Sequence, residues 1–408
     1  MFLNQALTSA FQNNPDILLE RGKVETAGLG VESEANVLNP FFLFDADTAD
    51  KTYNFGLQKA FETGGLGKIR KKIQEKRKEL QKARLQERVI ALEEKVIKAF
   101  TQVYINQEKI KLLEETFKYI KKSREEIEDL PEEEELLTEV ELLDIKQRLE
   151  DARIEIEKAR LALEELLGEK VERDSRLGDP RNLDIKENMG KVELIQKALK
   201  ENSKIIENES LLEIAQLQKN LAKADYWPLI IADAGAEIDF DEKSTGVFFG
   251  LDIELPVMGL EKKQVKIAEK RIEQVKENRK IIESEIRLKI SENYELYKFT
   301  QKRLEEYDQE YLPKVEKLIV KIREKYSKNE ISFKDLLKAE ESKIEVQNNY
   351  FDALIDFKNA FSDLEKAVGI SLAKDLAKFE IGELGSTGTS VPEYQLESDP
   401  YIKLQEAY

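Results

Sequence analysis

The chain has 408 residues, 37 % of them charged, a formal net charge of −17, and neither cysteine nor histidine. Without cysteine there are no disulfides, thiol nucleophiles or thiolate metal sites, and without histidine the commonest general base and transition-metal ligand is missing. An enzyme, a cofactor or a bound metal is therefore not expected, and the acidic balance argues against a nucleic-acid partner, which calls for clustered Lys and Arg.

No apolar run reaches the roughly 18–20 residues of a membrane-spanning helix. Met1 is not followed by the basic and apolar regions of a signal peptide, so an exported form is expected to begin near this point. The two halves repeat. Ala10 and Ala198, Ile17 and Ile205, and Pro40 and Pro228 are each 188 residues apart. Phe55-Gly56-Leu57 recurs as Phe249-Gly250-Leu251, and Thr138 with Leu142-Leu143 recurs as Ser332 with Leu336-Leu337, each 194 apart. Such a fixed period marks a tandem duplication, with repeats over 1–189 and 190–383 and a Gly/Ser/Thr-rich tail over 384–408.

Taken in chain order, the first repeat reads as a helix, a strand pair over 40–62, a long helix over 64–130, a tip, and a return helix over 138–168. The second reads as a helix over 191–224, a strand pair over 229–256, a long helix over 259–328, a tip, and a return helix over 332–368. Each outgoing helix would extend about 100 Å at 1.5 Å per residue, with a local bend at Pro313.

The strand pairs alternate. Ile230, Ala232, Ala234, Ala236, Ile238 and Phe240 share one face, and Asp233, Gly235, Glu237 and Asp239 the other. Val247, Phe249, Leu251, Ile253 and Leu255 then alternate with Phe248, Gly250, Asp252 and Glu254. The first repeat carries a weaker version in Phe42, Phe44 and Ala46, then Tyr53, Phe55 and Leu57. A period of two with one apolar face fits half of a sandwich or a sheet against lipid. The flanking helices are too charged to cover an apolar face, and strands of about ten residues cross a bilayer when tilted. The lipid reading points Phe42, Phe44, Phe55, Leu57, Val247, Phe249, Leu251 and Ile253 outward. Asp233, Glu237, Asp239, Asp252 and Glu254, with Asp45 and Asp47, would then face a negative lumen that favours cations. Four strands cannot close a barrel, so several copies must share one; the count alone leaves their number open.

The return helices carry heptads: Leu142, Leu149, Ile156 and Leu163 with Ile145, Ala152, Ala159 and Leu166 between them, the seam of a coiled coil. Leu336, Ala339, Val346, Tyr350, Ala353, Phe357, Ala360 and Leu364 form the second such stripe, interrupted by Lys343.

Over residues 2–370 the chain resembles the TolC-type outer-membrane efflux proteins. Ala6-Leu7 through Asn13-Asn14-Pro15 resembles the family's opening helix, and Phe55-Gly56-Leu57 to Glu62-Thr63-Gly64-Gly65 is similar to a segment of its cation-efflux branch. Leu255-Pro256-Val257-Met258-Gly259 resembles the matching element of the second repeat, and Tyr326-Ser327 through Ser332-Phe333-Lys334-Asp335-Leu336-Leu337 the second helical tip. The resemblance implies a membrane α+β fold: a homotrimer whose four strands per chain make a twelve-stranded barrel above a coiled-coil periplasmic tunnel. It implies an outer-membrane exit duct, serving efflux or type I secretion, with a periplasmic adaptor, an inner-membrane pump and outer-membrane lipid as partners. A carboxylate gate would fall on Asp335, with Lys338 in place of its acidic neighbour and Glu141 and Asp144 corresponding in the first repeat. Adaptor docking would involve Glu132, Glu133, Glu134, Glu135, Thr138, Lys328, Asn329 and Ser332. The alternatives are a soluble coiled-coil scaffold, which predicts one helical hairpin and no lipid-facing strands, and an engineered soluble analogue of the same fold, which predicts polar residues where Val247, Phe249, Leu251 and Ile253 stand.

Overall fold

A computed structural model describes residues 1–34, 39–47, 52–126, 131–173, 175–182, 189–239, 243–254 and 260–372. Phe240, Leu255, the Pro256–Gly259 element and the 384–408 tail lie outside these residues. The first repeat contains α1 (Leu3–Asn13), α2 (Pro15–Glu34), β1 (Phe41–Asp47), β2 (Thr52–Phe61), α3 (Leu66–Glu125) and α4 (Glu132–Leu167). The second contains α5 (Lys191–Glu201), α6 (Ser203–Ala224), β3 (Leu229–Asp239), β4 (Ser244–Glu254), α7 (Leu260–Glu306), a π-helical turn (Tyr307–Tyr311), α8 (Leu312–Ser327) and α9 (Phe333–Val368).

The four strands form one antiparallel sheet in the order β1-β2-β3-β4, which leaves β1 and β4 as edges. Below it, α3 packs on α2 and α6 towards the sheet and on α4 and α9 farther away; α6 and α9 in turn pack on α7, and α9 on α8. The wall is therefore α2–α3–α6–α7 in its upper half and α4–α3–α9–α8 in its lower half. The lower core is apolar: Ile105, Leu112 and Ile120 of α3 meet Ile145 of α4 and Leu336, Ile344 and Leu354 of α9.

Three boundaries differ from the sequence reading. The opening helix of each repeat is broken, by Asn14 ahead of Pro15 and by Asn202 in extended backbone (ψ 129°). The acidic run Glu132–Glu135 is the first turn of α4 rather than a loop, where carboxylates offset the partial positive charge of the helix N-terminus. The long helix of the second repeat is divided by its π-helical turn, just ahead of Pro313. Proline has no N–H to give the carbonyl four residues back, and its ring crowds that carbonyl, so the ladder slips by one residue.

The two breaks are built alike. Asn14 Oδ1 accepts from Asp16 N at 3.0 Å and Asn14 Nδ2 donates to Leu166 O at 3.0 Å. Asn202 Oδ1 accepts from Lys204 N at 2.9 Å, and Asn202 Nδ2 donates to Val368 O at 3.0 Å. One amide thus caps a starting helix and satisfies a terminal carbonyl of the returning one. Gly168 (φ 69°) and Gly369 (φ 78°) close the returning helices in left-handed backbone, pressed so close to Asn13 and Asn202 that a Cβ would collide.

Candidate functional site

The sheet register sorts its side chains. Phe42 stands across from Leu57, Leu57 from Ala234, and Ala234 from Phe249. The next row is Phe44, Phe55, Ala236 and Val247; Ala232 with Leu251 and Ile230 with Ile253 extend the same face. This face is open: Phe249 is 82 % exposed and Val247 76 %, with Phe42, Phe44, Phe55, Leu57, Leu251 and Ile253 exposed beside them. Lys59 is its one charged residue among the described ones, two positions from the helix-proximal end of β2, with Nζ 5.7 Å from the Phe61 ring centroid.

The opposite face carries the carboxylates, interspersed with Phe41, Leu43, Ile231 and Phe248. Asp45, Asn54 and Glu237 share one row, and Asp47, Thr52 and Asp239 another. Asp233 lies across from Gln58, and Asp252 from Ile231. Glu254 ends β4, and its side chain is outside the described residues. Between the acidic rows the Phe248 ring covers Gly235 and Gly56, where a Cβ on either would press on it. The glycines open a shallow groove across two strands, and the aromatic ring fills it; the alternation marked Phe248 as a wet-face residue without hinting at this contact.

At the far end of the wall the two tips differ. Ser332 caps α9: its Oγ accepts from Asp335 N at 3.2 Å, and Asp335 Oδ2 accepts from Ser332 Oγ at 2.8 Å and from Ser332 N at 3.3 Å. The Asp335 carboxylate is exposed and at the same time holds the helix start. Lys338 is exposed one turn on. Burial, followed by the charges of Glu341 and Asp144, pushes the Glu141 carboxyl above its ordinary value, and Asp144 pairs with Arg148 at 2.6 Å. Glu141 of α4 thus lies near Glu341 of α9 as a like charge that opposes its ionisation, a proximity the sequence did not signal. Glu132 and Glu133 are exposed, as are Lys328 and Asn329; Glu134 is half-buried, and Glu135 is half-buried and pairs with Arg124 of α3. Thr138 is a correction. Its side chain is buried (1 % exposed) and donates to Glu134 O at 2.6 Å, so it is not part of the outer tip surface.

Several contacts that the sequence did not signal tie the wall together. Arg323 of α8 donates to both oxygens of the buried Glu340 of α9, at 2.6 and 2.9 Å, and its guanidinium stacks 3.9 Å from the Tyr119 ring centroid of α3. Tyr326 donates its hydroxyl to Ser123 O at 3.2 Å. Midway along the wall, the segment after α4 crosses to the second repeat. Leu177 N donates to Gln107 Oε1 at 3.0 Å, and Arg181 bridges Asp179 and Asp308, its Nη1 2.9 Å from Asp308 Oδ1 in the π-helical turn. The guanidinium of Arg181 also lies 5.9 Å from the Tyr350 ring centroid. Apart from Arg181 with Asp179, these contacts join different elements, so no local pattern reveals them.

A sheet with one open apolar face and carboxylates on the other, above a long helical wall, makes up the fold of the TolC-type outer-membrane channels, and solved structures of such channels superpose on this chain. The open-state MtrE outer-membrane channel of Neisseria gonorrhoeae aligns with a TM-score of 0.73 at 17 % identity, over 91 % of this chain and 90 % of that one. CusC, studied for the conformational changes that accompany folding and transmembrane channel formation, aligns at 0.68 and 17 %, over 90 % and 92 %. The outer membrane protein VceC of Vibrio cholerae aligns at 0.65 and 15 %, over 91 % and 96 %. At such identities the likeness is one of fold. No protein-family model and no curated protein matches the sequence.

Proposed function

We propose that this chain is the exit duct of a tripartite efflux or export system in the outer membrane. Three copies pool their four-stranded sheets into a twelve-stranded barrel, and their helices form a tunnel in the periplasm that docks on an adaptor and an inner-membrane pump. The observation that carries this is the fully open apolar face of a sheet whose two edges are unpaired in the single chain. In water such a face and such edges invite aggregation; in lipid, closure with further copies satisfies both. The exposed Val247, Phe249, Leu251 and Ile253 disfavour a soluble scaffold.

A duct does no covalent chemistry, and its mechanism is shape and field. Asp45, Asp47, Asp233, Glu237, Asp239 and Asp252, repeated threefold, would line a negative bore that favours cations. At the periplasmic end Asp335, with Lys338, Glu141 and Asp144 near it, is the candidate aperture, and the exposed tip residues Glu132, Glu133, Lys328 and Asn329 are candidates for adaptor contact. Ser332 supports the second tip by capping α9.

Planar-bilayer recording tests this. Purified protein should insert as discrete, cation-selective steps, and Asp335→Ala should enlarge them by loosening the α9 start and removing the aperture charge. Absence of any conductance from correctly folded protein would refute the duct. Unchanged conductance in the variant would take Asp335 out of the aperture.

A further inference from the structure

We propose that the lower wall holds a binding site for a small monocarboxylate with an apolar body. The ligand sits between α3, α9 and the π-helical turn, where the Lys343 ammonium and the Tyr104 and Tyr350 hydroxyls hold its carboxylate. Every residue of the site belongs to one chain, and α3 and α9 are the two middle helices of the lower wall. The site therefore stands apart from the duct reading.

Three departures from regular structure meet at one place. Lys343 occupies a position of the α9 heptad stripe whose other members, Ala339, Val346 and Tyr350, are apolar or aromatic. The long helix of the second repeat slips into its π-helical turn at Tyr307–Tyr311. The segment after α4 crosses the wall and brings Arg181 to Asp308 of that turn. All three border one cavity of about 260 Å³, lined among others by Lys343, Arg181, Asp308 and Leu312. A chain tolerates such departures where they serve a function, and π-helical turns recur at functional sites.

Two facing columns make the sides of the cavity. On α9, Lys343, Gln347, Tyr350 and Phe351 stand above one another, four, seven and eight residues on from the first. On α3, which packs against α9, Tyr104, Glu108, Lys111 and Leu112 follow the same spacing. Leu112, Leu312, Phe351 and the two tyrosine rings supply the apolar surface. Since an apolar cavity of about 150 Å³ takes up benzene, 260 Å³ has room for about ten non-hydrogen atoms.

Most charges along the cavity are already satisfied. Asp308 accepts from Arg181 Nη1 with both oxygens, at 2.9 and 3.1 Å, and Asp179 accepts from the same guanidinium. Glu108 lies 3.6 Å from Arg176. Lys111 and Glu115 are exposed one turn apart on α3 and offset each other. Lys343 is half-buried and has no ion pair or hydrogen bond among the described residues. Its ammonium is the surplus positive charge, and a monoanion matches it; a phosphate dianion would bring more charge than the site can neutralise.

The tyrosines add donors. Tyr350 is 8 % exposed, and neither its hydroxyl nor that of Tyr104 has a hydrogen-bond partner among the described residues. Burial pushes the Tyr104 hydroxyl up to about 12 and raises Tyr350 as well, so both stay protonated at neutral pH. A carboxylate accepts from an ammonium and from hydroxyls at once. A ligand ammonium would instead meet Lys343 as a like charge.

Benzoate is the probe, and benzylamine, of similar shape and opposite charge, is its control. Isothermal titration of the full chain in detergent should give one benzoate per chain with a Kd of about 1 mM, the scale of so small a ligand. Benzylamine and inorganic phosphate should show no saturable binding. Lys343→Met keeps the stem and suits the apolar stripe, so its thermal midpoint should not fall. It should weaken benzoate about tenfold or more, as the loss of a charged hydrogen-bond donor does. Tyr350→Phe keeps the ring, drops the donor and should weaken benzoate roughly fivefold. Absence of saturable benzoate binding, equal binding of benzylamine, or undiminished affinity in both variants would overturn the proposal.

Discussion

Arg323 to Ala would strip a carboxylate of both its charge-assisted bonds inside the lower wall. The Glu340 side chain is 1 % exposed, and Arg323 reaches it at 2.6 and 2.9 Å while lying over Tyr119. Removing one member of a buried ion pair costs roughly 3–5 kcal/mol, because the other charge is left without water or counter-charge. Since 32 % of the Arg323 side chain meets solvent, water can reach the vacated place and the lower figure, about 3 kcal/mol, applies. At about 1.36 kcal/mol per decade that is roughly a 150-fold rise in local opening. The loss should concentrate in α8 and the start of α9, because the pair joins those helices to α3. Hydrogen exchange of the assembled protein reads it as lost amide protection over 312–344, with α2 and the strands unchanged. The Arg323→Met, Glu340→Leu double variant should return most of the protection, since no buried charge remains to be solvated. A single variant whose exchange in α8 changes less than about threefold would refute the reasoning.

Two further outcomes follow from the wall. Glu93 of α3 is buried, and desolvation pushes its carboxyl up to about 7 despite a 2.9 Å bond from Ser371 Oγ. The fold thus favours the neutral acid, so its contribution is complete below about pH 4.5 and is lost as the pH rises towards 7; Glu93→Gln should flatten that decline in a denaturation series, and an unaltered profile would contradict it. Asn202→Ala removes the cap of α6 and the donor to Ala367 O and Val368 O, a loss of about 2–3 kcal/mol from a cap and unsatisfied buried carbonyls. Asn202→Asp keeps the cap and should recover only part of this; full recovery would show that the donor contributes nothing.

Repetition and alternation made most of the architecture legible before any coordinates. The run from Val247 to Ile253 alternates because one sheet face is apolar and the other wet, and the heptads of α4 repeat because one stripe must stay on α3. The breaks at Asn14 and Asn202 are less visible, since the helical periodicity continues on both sides; Pro15 marks the first, whereas at the second only the asparagine side chain stops the helix. The Glu132–Glu135 run reads ambiguously because four carboxylates suit a solvent-facing tip and a helix N-terminus equally well, and it forms the first turn of α4. Thr138 was placed on the tip surface by its correspondence with Ser332, yet the earlier start of α4 turns its hydroxyl inward. Arg323 with Glu340, and Arg181 with Asp308, were beyond reach because their partners come from different helices, and spacing along the chain carries no information about them. Of the candidate site, the sheet faces were readable residue by residue, whereas at the tips only the types of charge were.

A duct requires several copies to close their strands around a bore within lipid. Electron cryo-microscopy of the protein reconstituted in lipid nanodiscs examines that most directly. A threefold ring with β1 of each copy paired to β4 of the next, the bilayer meeting Phe44, Leu57 and Phe249, and the Asp45, Glu237 and Asp239 side chains inside is the result predicted. A monomer, or a particle whose strands lie outside the lipid band, would contradict it.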